Sequence, residues 1–321
     1  MIGLKDKYKE HFKIGAAVNT RTIESHKELL VKHFNSITCE NETKFINLQR
    51  KENEYQFEKA DKIVSFAKNN DMFMRGHTFV WHNQTPEWVF ADATRDILIN
   101  RMKEHILCVG KKYENDFFCW DVVNEAIEDK GDLIYRKSSW LDVIGEDFMD
   151  IAFSYAKEVL PKADLYYNDY NESSYPKRDK IYKAVKGMLD RGVPVDGIGL
   201  QCHWNIFSPT MDDFKRAMEQ YAKLGLKIHV TEMDVSVFKF EDLGRIDKPS
   251  NEMLKKQTAL YREGFKILRE YKDLVDNVTL WGIADDVTWL DYFPTRNRKN
   301  WPLLFDEEHE PKEALYAIMD F

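Results

Sequence analysis

Eight short apolar runs, each followed by a stretch with helical spacing of its apolar residues, constrain the fold of this chain most. Each run has the length of a strand and is too short for a typical helix. The runs cover residues 12–18, 36–40, 73–81, 117–123, 164–170, 197–204, 226–230 and 277–284. Eight repeats in 321 residues correspond to about 40 residues for each strand and helix unit.

The stretches between these runs predict amphipathic helices, because their apolar residues recur every three or four positions. Such faces contain Ile23, Leu30 and Phe34; Leu98, Met102, Ile106 and Val109; Ile181, Val185 and Met188; Phe214, Met218 and Tyr221; and Leu254, Leu260 and Leu268. Thr210, with Asp213 three residues later, predicts a capped start for one of these helices. Strands alternating with helices predict an α/β protein, a (β/α)8 TIM barrel that forms a single domain over residues 1–321.

An open, doubly wound parallel sheet is the structural alternative. Such a sheet usually has fewer strands, and a dinucleotide-binding one carries a G-x-G-x-x-G turn after its first strand. Here the first run reads Gly15-Ala16-Ala17-Val18, without that pattern. The closed barrel is therefore favoured.

Composition and charge narrow the partners and the compartment. The net charge of -8 disfavours a nucleic acid partner, because phosphate binding needs cations that release counterions. No apolar run approaches the ~18 residues of a membrane span, so no membrane partner is expected. The absence of a C-x-x-C pair predicts free thiols, and with no recognisable signal peptide it predicts a cytoplasmic protein. The four cysteines are Cys39, Cys108, Cys119 and Cys202. The oligomeric state stays open.

Polar and aromatic residues collect where the predicted strands end, and the carboxyl ends of barrel strands hold the active site. These residues are Glu40 and Asn41; Trp81, His82 and Gln84; Asn124 and Glu125; Tyr170; Gln201 and His203; Glu232 and Asp234; and Trp281. Aromatic rings stack on the C–H faces of sugars, while amides and imidazoles bond to sugar hydroxyls. The mixture predicts a carbohydrate site rather than an ordinary solvated rim.

Two glutamates stand out in this set. Glu125 and Glu232 follow the fourth and seventh apolar runs, so their carboxyl groups can face each other across the barrel mouth. Glycosidic bond cleavage needs such a pair, one acid to protonate the leaving oxygen and one carboxylate to attack or to activate water. The placement of the pair predicts a glycosidase.

Motifs along the chain strengthen this interpretation. WDVVNE at 120–125 and VTEMD at 230–234 hold the two glutamates. Other motifs are ENETK at 40–44, GHTFVWH at 76–82, YNDYN at 167–171, GIGLQCH at 197–203 and LWG at 280–282. In these motifs and their order, over nearly the whole chain, the sequence resembles glycoside hydrolase family 10, the retaining endo-β-1,4-xylanases.

The resemblance implies a double-displacement reaction on xylan or xylooligosaccharides, with Glu125 as acid/base and Glu232 as nucleophile. Asn124 would bond to the 2-hydroxyl of the sugar. His203 would orient Glu232 and would itself be held by contact with Asp234. The implied substrate-binding residues are Glu40, Asn41, Lys44, His77, Trp81, His82 and Gln84 on the glycone side, Tyr170 and Gln201, and Trp281 and Trp289 over the sugar next to the cut. The implied mechanism requires no metal or organic cofactor.

These roles carry physical expectations. We expect the pKa of Glu125 to be high while Glu232 is anionic, because a like charge nearby disfavours ionisation. For retention, the two carboxyl groups should lie ~5–5.5 Å apart, whereas inversion needs ~6.5–9.5 Å. His77 and His82 could be metal ligands, but His-x4-His without a further ligand pattern does not favour this.

The chain departs from the family pattern at some positions. Phe45 stands where an indole is common, and Leu290 follows Trp289 where an arginine is usual. The loop 291–301 is basic at Arg296, Arg298 and Lys299, which we interpret as a binding site for an acidic branch such as a glucuronosyl group.

Two alternative functions stay open at this point. A barrel glycosidase that prefers β-1,4-glucan differs only in whether its glycone side admits the C5 hydroxymethyl group. A non-catalytic barrel that binds carbohydrate or inhibits other hydrolases should have lost a catalytic carboxylate, yet Glu125 and Glu232 are both present.

Overall fold

Eight parallel strand positions close into a ring in the computed structural model, which describes residues 2–321. The strands are β1 (Lys13–Val18), β2 (Ser36–Cys39), β3 (Phe73–Trp81), β4 (Phe117–Asn124), β5 (Asp164–Asp169), β6 (Gly197–Leu200), β7 (His203–Asn205), β8 (Lys227–Ser236) and β9 (Val275–Leu280). Strands β1 to β6 pair in order, β6 pairs with β8, β8 with β9, and β9 with β1. The predicted (β/α)8 barrel is confirmed.

Helices alternate with these strands along the chain. They are α1 (Leu4–Lys7), α2 (Thr22–Ser25), α3 (Lys27–His33), α4 (Phe45–Leu48), α5 (Glu58–Asn69), α6 (Arg95–Lys112), α7 (Ser139–Ile144), α8 (Phe148–Val159), α9 (Lys177–Asp190), α10 (Met211–Ala222), α11 (Asn251–Glu270) and α12 (Glu313–Met319). Short 3-10 turns cover Glu87–Val89 and Trp289–Asp291. The apolar face predicted from Leu98 to Val109 is buried along α6, and the Thr210 hydroxyl caps α10 by accepting from Asp213 N at 3.1 Å.

The helix predicted from Ile23 to Phe34 is two short helices instead. Helix α2 ends and α3 begins at His26, whose buried imidazole turns away to Asp286 at 2.8 Å. Phe34 lies just beyond α3 in extended backbone. A tertiary contact of one side chain therefore breaks a helix that local periodicity predicts as continuous.

The sixth and seventh strands also differ from the predicted runs. The run 197–204 is interrupted at Gln201 and Cys202, where Cys202 adopts a φ of 55°, so that β7 continues the path of β6. Strand β7 pairs with β8, matching His203 to Asp234. Because β8 extends to Ser236, Glu232 and Asp234 lie within a paired strand and not after it.

Close packing fixes the position of β3 against β4. Trp120 stacks on Phe79 with ring centroids 4.1 Å apart, and a Cβ added at Gly76 would come within 2.2 Å of the Trp120 ring. Glycine at position 76 therefore leaves the space that the Trp120 indole occupies against β3. This packing holds the ends of β3 and β4, which carry Trp81 and Glu125, next to each other.

The remaining global expectations concern cysteines and membranes. All four cysteines are free, with Cys39, Cys119 and Cys202 buried and Cys108 half-buried, as predicted. Within residues 2–321, no helix has both the length and the apolar character that crossing a membrane requires.

Candidate active site

The two predicted catalytic glutamates lie at the end of β4 and within β8. Glu125 directly follows β4 with a φ of 56°, a left-handed conformation that is uncommon for a residue with a long side chain. Its backbone N–H donates to Asn168 O at 2.9 Å, and the N–H of Glu232 donates to Gln201 O at 3.1 Å. The main chains of neighbouring strands thus hold both residues in place.

Two side chains donate hydrogen bonds to the carboxyl group of Glu125. Trp81 Nε1 lies 2.8 Å from Oε2, and Gln201 Nε2 lies 3.0 Å from Oε1. Burial raises the pKa of Glu125, the bond from Gln201 opposes this rise, and the charge of Asp169 adds to it. The expected direction is confirmed, but burial and Asp169 contribute more to the pKa than the like charge of Glu232 does. A raised pKa is what a carboxyl group that acts as a general acid requires.

The carboxylate of Glu232 is surrounded by donors. Asn168 Nδ2 donates to Oε1 at 2.8 Å, His203 Nε2 lies 3.2 Å from Oε2, and His77 Nδ1 lies 3.9 Å from Oε1. Burial alone would raise the pKa of Glu232, yet the charges of His77 and His203 hold it down at about 2. The pKa values of the two glutamates are therefore shifted in opposite directions, and Glu232 is an anion at neutral pH.

His203 links Glu232 to a second buried carboxylate. Its Nδ1 lies 3.0 Å from Asp234 Oδ2, the oxygen that also accepts from Trp289 Nε1 at 2.8 Å. Burial lowers the pKa of His203, but Asp234 and Glu232 outweigh it and raise the pKa to about 10. A cationic imidazole between two carboxylates keeps Glu232 ionised and fixes its orientation.

A second ion-pair network lies on the other side of Glu232. His77 Nδ1 is 2.8 Å from Asp121 Oδ2, and the buried guanidinium of Arg75 pairs with the same oxygen. His77, Asp121 and Glu232 offer ligand atoms within 4.8 Å of one another, a set that could hold a metal ion. Because Arg75 already supplies a cation to Asp121, we interpret this set as a charge-balanced network that supports the carboxylate of Glu232.

Two of the predicted glycone residues, Glu40 and Asn41, form one wall of a cleft of about 260 Å³. Its lining includes Glu40, Asn41, Trp281 and Trp289. The Trp281 ring lies 5.5 Å from His77 and 6.3 Å from His203, measured between ring centroids. The structure thus brings the predicted indole close to both histidines that face Glu232.

Lys44 is buried beside this wall. Its Nζ lies 5.1 Å from the Trp81 ring centroid and donates to Asn41 Oδ1 at 3.2 Å. Burial lowers the pKa of Lys44, while Glu232 and Glu40 act in the opposite direction. An ammonium in this position can bond to sugar hydroxyls because it retains donors that no protein oxygen uses.

Tyr170, His82 and Gln84 are less closely tied to the pair. The Tyr170 hydroxyl donates to Asp129 Oδ2 at 2.6 Å and accepts from Arg136 at 2.6 Å, and Lys177 Nζ lies over its ring at 4.0 Å from the centroid. His82 is exposed and lines a small pocket shared with Trp81 and Glu125. Gln84 is half-buried, and its carbonyl accepts from Ile46 N at 3.0 Å. Their roles in substrate binding stay predictions.

Sequence reasoning did not single out Asn168 and Asp169. Asn168 Nδ2 lies 2.9 Å from the Asn124 side-chain amide and 2.8 Å from Glu232, and Asp169 acts on the pKa of Glu125. Both belong to the YNDYN motif, which was the available signal. The buried Asp121 belongs to the WDVVNE motif, which was likewise an available signal, whereas the buried Arg75 belongs to none of the motifs.

The structure does not support a joint role for the three cations of the loop 291–301 in binding an acidic branch. Arg298 is buried, donates to the carbonyl of Asp242 and lies over the Phe238 ring at 4.3 Å. Lys299 pairs with Asp291 and Glu307 at 3.3 Å and 3.1 Å. Arg296 alone of the three is exposed, since the other two stabilise the loop itself.

Comparison with known proteins agrees with this geometry. The family model described as Glycosyl hydrolase family 10 matches residues 3–321. The chain is 50% identical to endo-1,4-beta-xylanase A of Caldicellulosiruptor saccharolyticus, over 100% of this chain and 96% of that protein. A crystal structure of the endo-1,4-beta-xylanase from Caldicellulosiruptor owensensis is 50% identical with a TM-score of 0.98, covering 100% of both chains. A mutant structure in complex with xylotriose is 48% identical with a TM-score of 0.98, again over 100% of both chains. This chain belongs to glycosyl hydrolase family 10.

Proposed function

We propose that the chain is a retaining endo-β-1,4-xylanase that hydrolyses xylan or xylooligosaccharides through a covalent glycosyl-enzyme intermediate. The observation that carries the proposal is the difference between the two glutamates, since the pKa of Glu125 is raised and that of Glu232 is about 2. The relatives' names and the xylotriose bound to a similar structure support the choice of substrate.

In the first step, Glu125 donates its proton to the glycosidic oxygen while a carboxylate oxygen of Glu232 attacks the anomeric carbon. The bond from that carbon to the leaving oxygen breaks, and the leaving sugar departs with the proton. His203 and Asn168 hold Glu232 through Oε2 and Oε1, so the nucleophile needs little reorientation. The product of this step is an ester between the sugar and Glu232.

In the second step, Glu125 is ionised and accepts a proton from water, which attacks the anomeric carbon and releases Glu232. Two inversions give overall retention. Asn124 is placed to bond to the 2-hydroxyl of the sugar, because its amide adjoins Asn168, which contacts Glu232. Retention requires the carboxyl groups to be ~5–5.5 Å apart, and this spacing stays a prediction.

The glycone side is proposed to recognise one sugar unit through a polar floor and aromatic walls. Glu40, Asn41 and Lys44 would bond to hydroxyls, and the rings of Trp281 and Trp289 would pack against the sugar. A narrow glycone subsite would exclude the hydroxymethyl group of glucose, which favours xylose units over glucose units.

We further propose that residues 1–321 act as one catalytic unit in the cytoplasm on imported oligosaccharides, without a nucleic acid or membrane partner. Four free cysteines, three of them buried, suit a reducing compartment. Immunodetection in separated cytoplasmic and secreted fractions of the source cells tests the location. Recovery of the protein mainly in the secreted fraction would contradict it.

The experiment that tests the activity compares hydrolysis of xylohexaose and cellohexaose, following the anomer that forms by proton NMR. We expect xylooligosaccharides that appear first as the β-anomer, and no product with Glu232→Ala. First appearance of the α-anomer would contradict retention, and cleavage of cellohexaose alone would indicate a glucanase. Binding of xylohexaose without cleavage would indicate the non-catalytic alternative.

A further inference from the structure

Two histidines and an aspartate from three separate segments converge beside the cleft. His26 Nε2 lies 2.8 Å from Asp286 Oδ1, and His309 Nε2 lies 3.5 Å from Asp286 Oδ2. The two imidazole rings are 4.3 Å apart between centroids. The three ligand atoms lie within 4.8 Å of one another. The mechanism described above uses none of these side chains.

The hydrogen bonds around His26 determine which of its ring nitrogens is free. The Ser25 hydroxyl donates to the carbonyl of Arg21 at 3.3 Å, so that its lone pairs face His26 Nδ1 at 2.8 Å. With Nδ1 as the donor to Ser25, Nε2 presents a lone pair to the carboxylate of Asp286, which is the arrangement of a metal-binding imidazole. In that tautomer a cation between Nε2 and Oδ1, either a proton or a metal ion, satisfies both atoms.

The arrangement meets the requirements of a divalent transition-metal site. Two imidazoles and one carboxylate are a common ligand set for zinc, whose bonds of ~2.0–2.2 Å place tetrahedral ligand atoms roughly 3.3 Å apart. His26 Nε2 lies 2.8 Å from Oδ1 and His309 Nε2 lies 3.5 Å from Oδ2 of the same carboxylate, and one ligand atom of each residue lies within 4.8 Å of the others. Ser25 supplies the outer hydrogen bond that such histidine ligands usually have. We propose that His26, Asp286 and His309 bind one ion of the Zn²⁺ class, with water completing the coordination.

Access and charge also suit a metal ion. The His26 side chain is only 1% exposed, whereas Asp286 and His309 are 32% and 34% exposed, so that an ion can enter from solvent. The His77, Asp121 and Glu232 set is buried and already contains the Arg75 cation. The peripheral set is therefore the better site for an ion from solution.

An ion at this position would join three parts of the chain. His26 lies between α2 and α3, Asp286 follows β9 three residues before Trp289, and His309 lies in the turn that precedes α12. Because a metal ion that binds only the folded chain stabilises it, binding should raise the melting temperature. The proposal does not depend on the proposed activity, since its ligands take no part in the reaction.

The test is calorimetric titration of the EDTA-treated full chain with ZnCl2, alongside Co²⁺ absorption spectra and thermal unfolding. We expect one Zn²⁺ per chain, a higher melting temperature with zinc, and the visible bands of tetrahedral Co²⁺. His309→Gln and Asp286→Asn should each weaken zinc binding at least tenfold and abolish the thermal shift. Ser25→Ala should weaken binding about 10-fold or more through loss of the outer hydrogen bond.

The matched control is His11→Gln, since the His11 ring packs against Phe321 at 5.4 Å and belongs to neither histidine-containing set. It should bind zinc as the unaltered chain does. Absence of zinc binding would overturn the proposal, as would equal affinity in His309→Gln and Asp286→Asn. Circular dichroism of each variant without metal verifies folding, and the two substitutions provide independent tests if one of them destabilises the chain.

Discussion

Asn168 donates a hydrogen bond from Nδ2 to Oε1 of Glu232 at 2.8 Å, across the barrel interior from β5 to β8. Strand β6 lies between these two strands, so this bond joins residues that are not neighbours in the sheet. The amide of Asn168 is itself oriented, because the Thr231 hydroxyl donates to its Oδ1 at 2.6 Å. The proposed nucleophile is therefore positioned from a strand other than its own.

Replacement of this amide should impair the attack step. Asn168→Ala removes a hydrogen bond to an ionised carboxylate, worth ~1.5–3 kcal/mol, so kcat/KM on xylohexaose should fall about 10- to 100-fold. Thr231→Val keeps the shape of the side chain and removes only its hydrogen bond to Asn168. The fall in kcat/KM of this variant should therefore be less than about tenfold. Equal values of kcat/KM for Asn168→Ala and the unaltered enzyme, at equal thermal stability, would contradict the positioning role.

The pH dependence should follow the two glutamates. Activity needs protonated Glu125, so it declines as the pH rises through the raised pKa of that group. It also needs anionic Glu232, so it declines only as the pH falls towards about 2. Trp81→Phe removes a hydrogen bond that lowers the pKa of Glu125, and the basic limb of kcat/KM should move to higher pH.

The opposite shift is expected when a like charge is removed. Asp169→Asn deletes a carboxylate that raises the pKa of Glu125, so the basic limb should move to lower pH. Profiles of kcat/KM against pH for both variants check the pair of shifts. If the basic limb moved in the same direction in Trp81→Phe and in Asp169→Asn, Glu125 would not be the group that sets it.

Loss of the acid should depend on the leaving group. Glu125→Gln removes general-acid assistance, which contributes ~10²–10⁴-fold to the rate. Cleavage of xylohexaose should fall by that range, whereas the first step on an aryl xyloside with an acidic phenol should change little. Burst kinetics on the aryl substrate give the control, because the intermediate should accumulate when water lacks its base. An equal loss of the first step on both substrates would contradict the role of Glu125 as acid.

Two arginines of one loop should behave differently. Arg298→Ala removes a buried guanidinium that binds the carbonyl of Asp242 and covers the Phe238 ring, and should cost about 1–3 kcal/mol in the free energy of unfolding. Arg296→Ala, at an exposed position, should stay within about 0.5 kcal/mol. Urea denaturation of the two variants provides the comparison. Equal stability of the two would show that the buried contacts of Arg298 contribute nothing.

Strand-end positions explain how much of the fold and site could be predicted. Glu125 and Glu232 follow apolar runs and Gln201 lies within one, and a barrel brings such residues together at one mouth. Asn168 was overlooked because its contact crosses the barrel interior, and sequence spacing does not indicate which inward side chains meet there. The direction of the Glu125 pKa was predictable, but the leading part of burial and Asp169 depends on surroundings that only tertiary structure defines.

Errors of prediction arose where tertiary contacts override local pattern. The helix predicted across His26 is broken because that imidazole pairs with Asp286, which lies 260 positions away in the chain. The basic loop looked like a ligand site, yet Arg298 turns inward onto Phe238. In both cases a polar side chain finds a partner inside the protein, and local sequence does not reveal that partner.

The placement of Glu125 after β4 and of Glu232 in β8, two non-adjacent strands of a closed ring, has a consequence for how such an enzyme can diversify. The distance between the two carboxyl groups is set by hydrogen-bonded strands, whereas much of the surface around the cleft belongs to the connections after those strands. Insertions or deletions in these connections can change which branched or longer polymers are admitted, while the reacting groups keep their separation. Separate parts of the chain therefore determine the substrate range and the chemical step. Mutations in the connections can change which substrates bind while the catalytic groups on the strands keep their function.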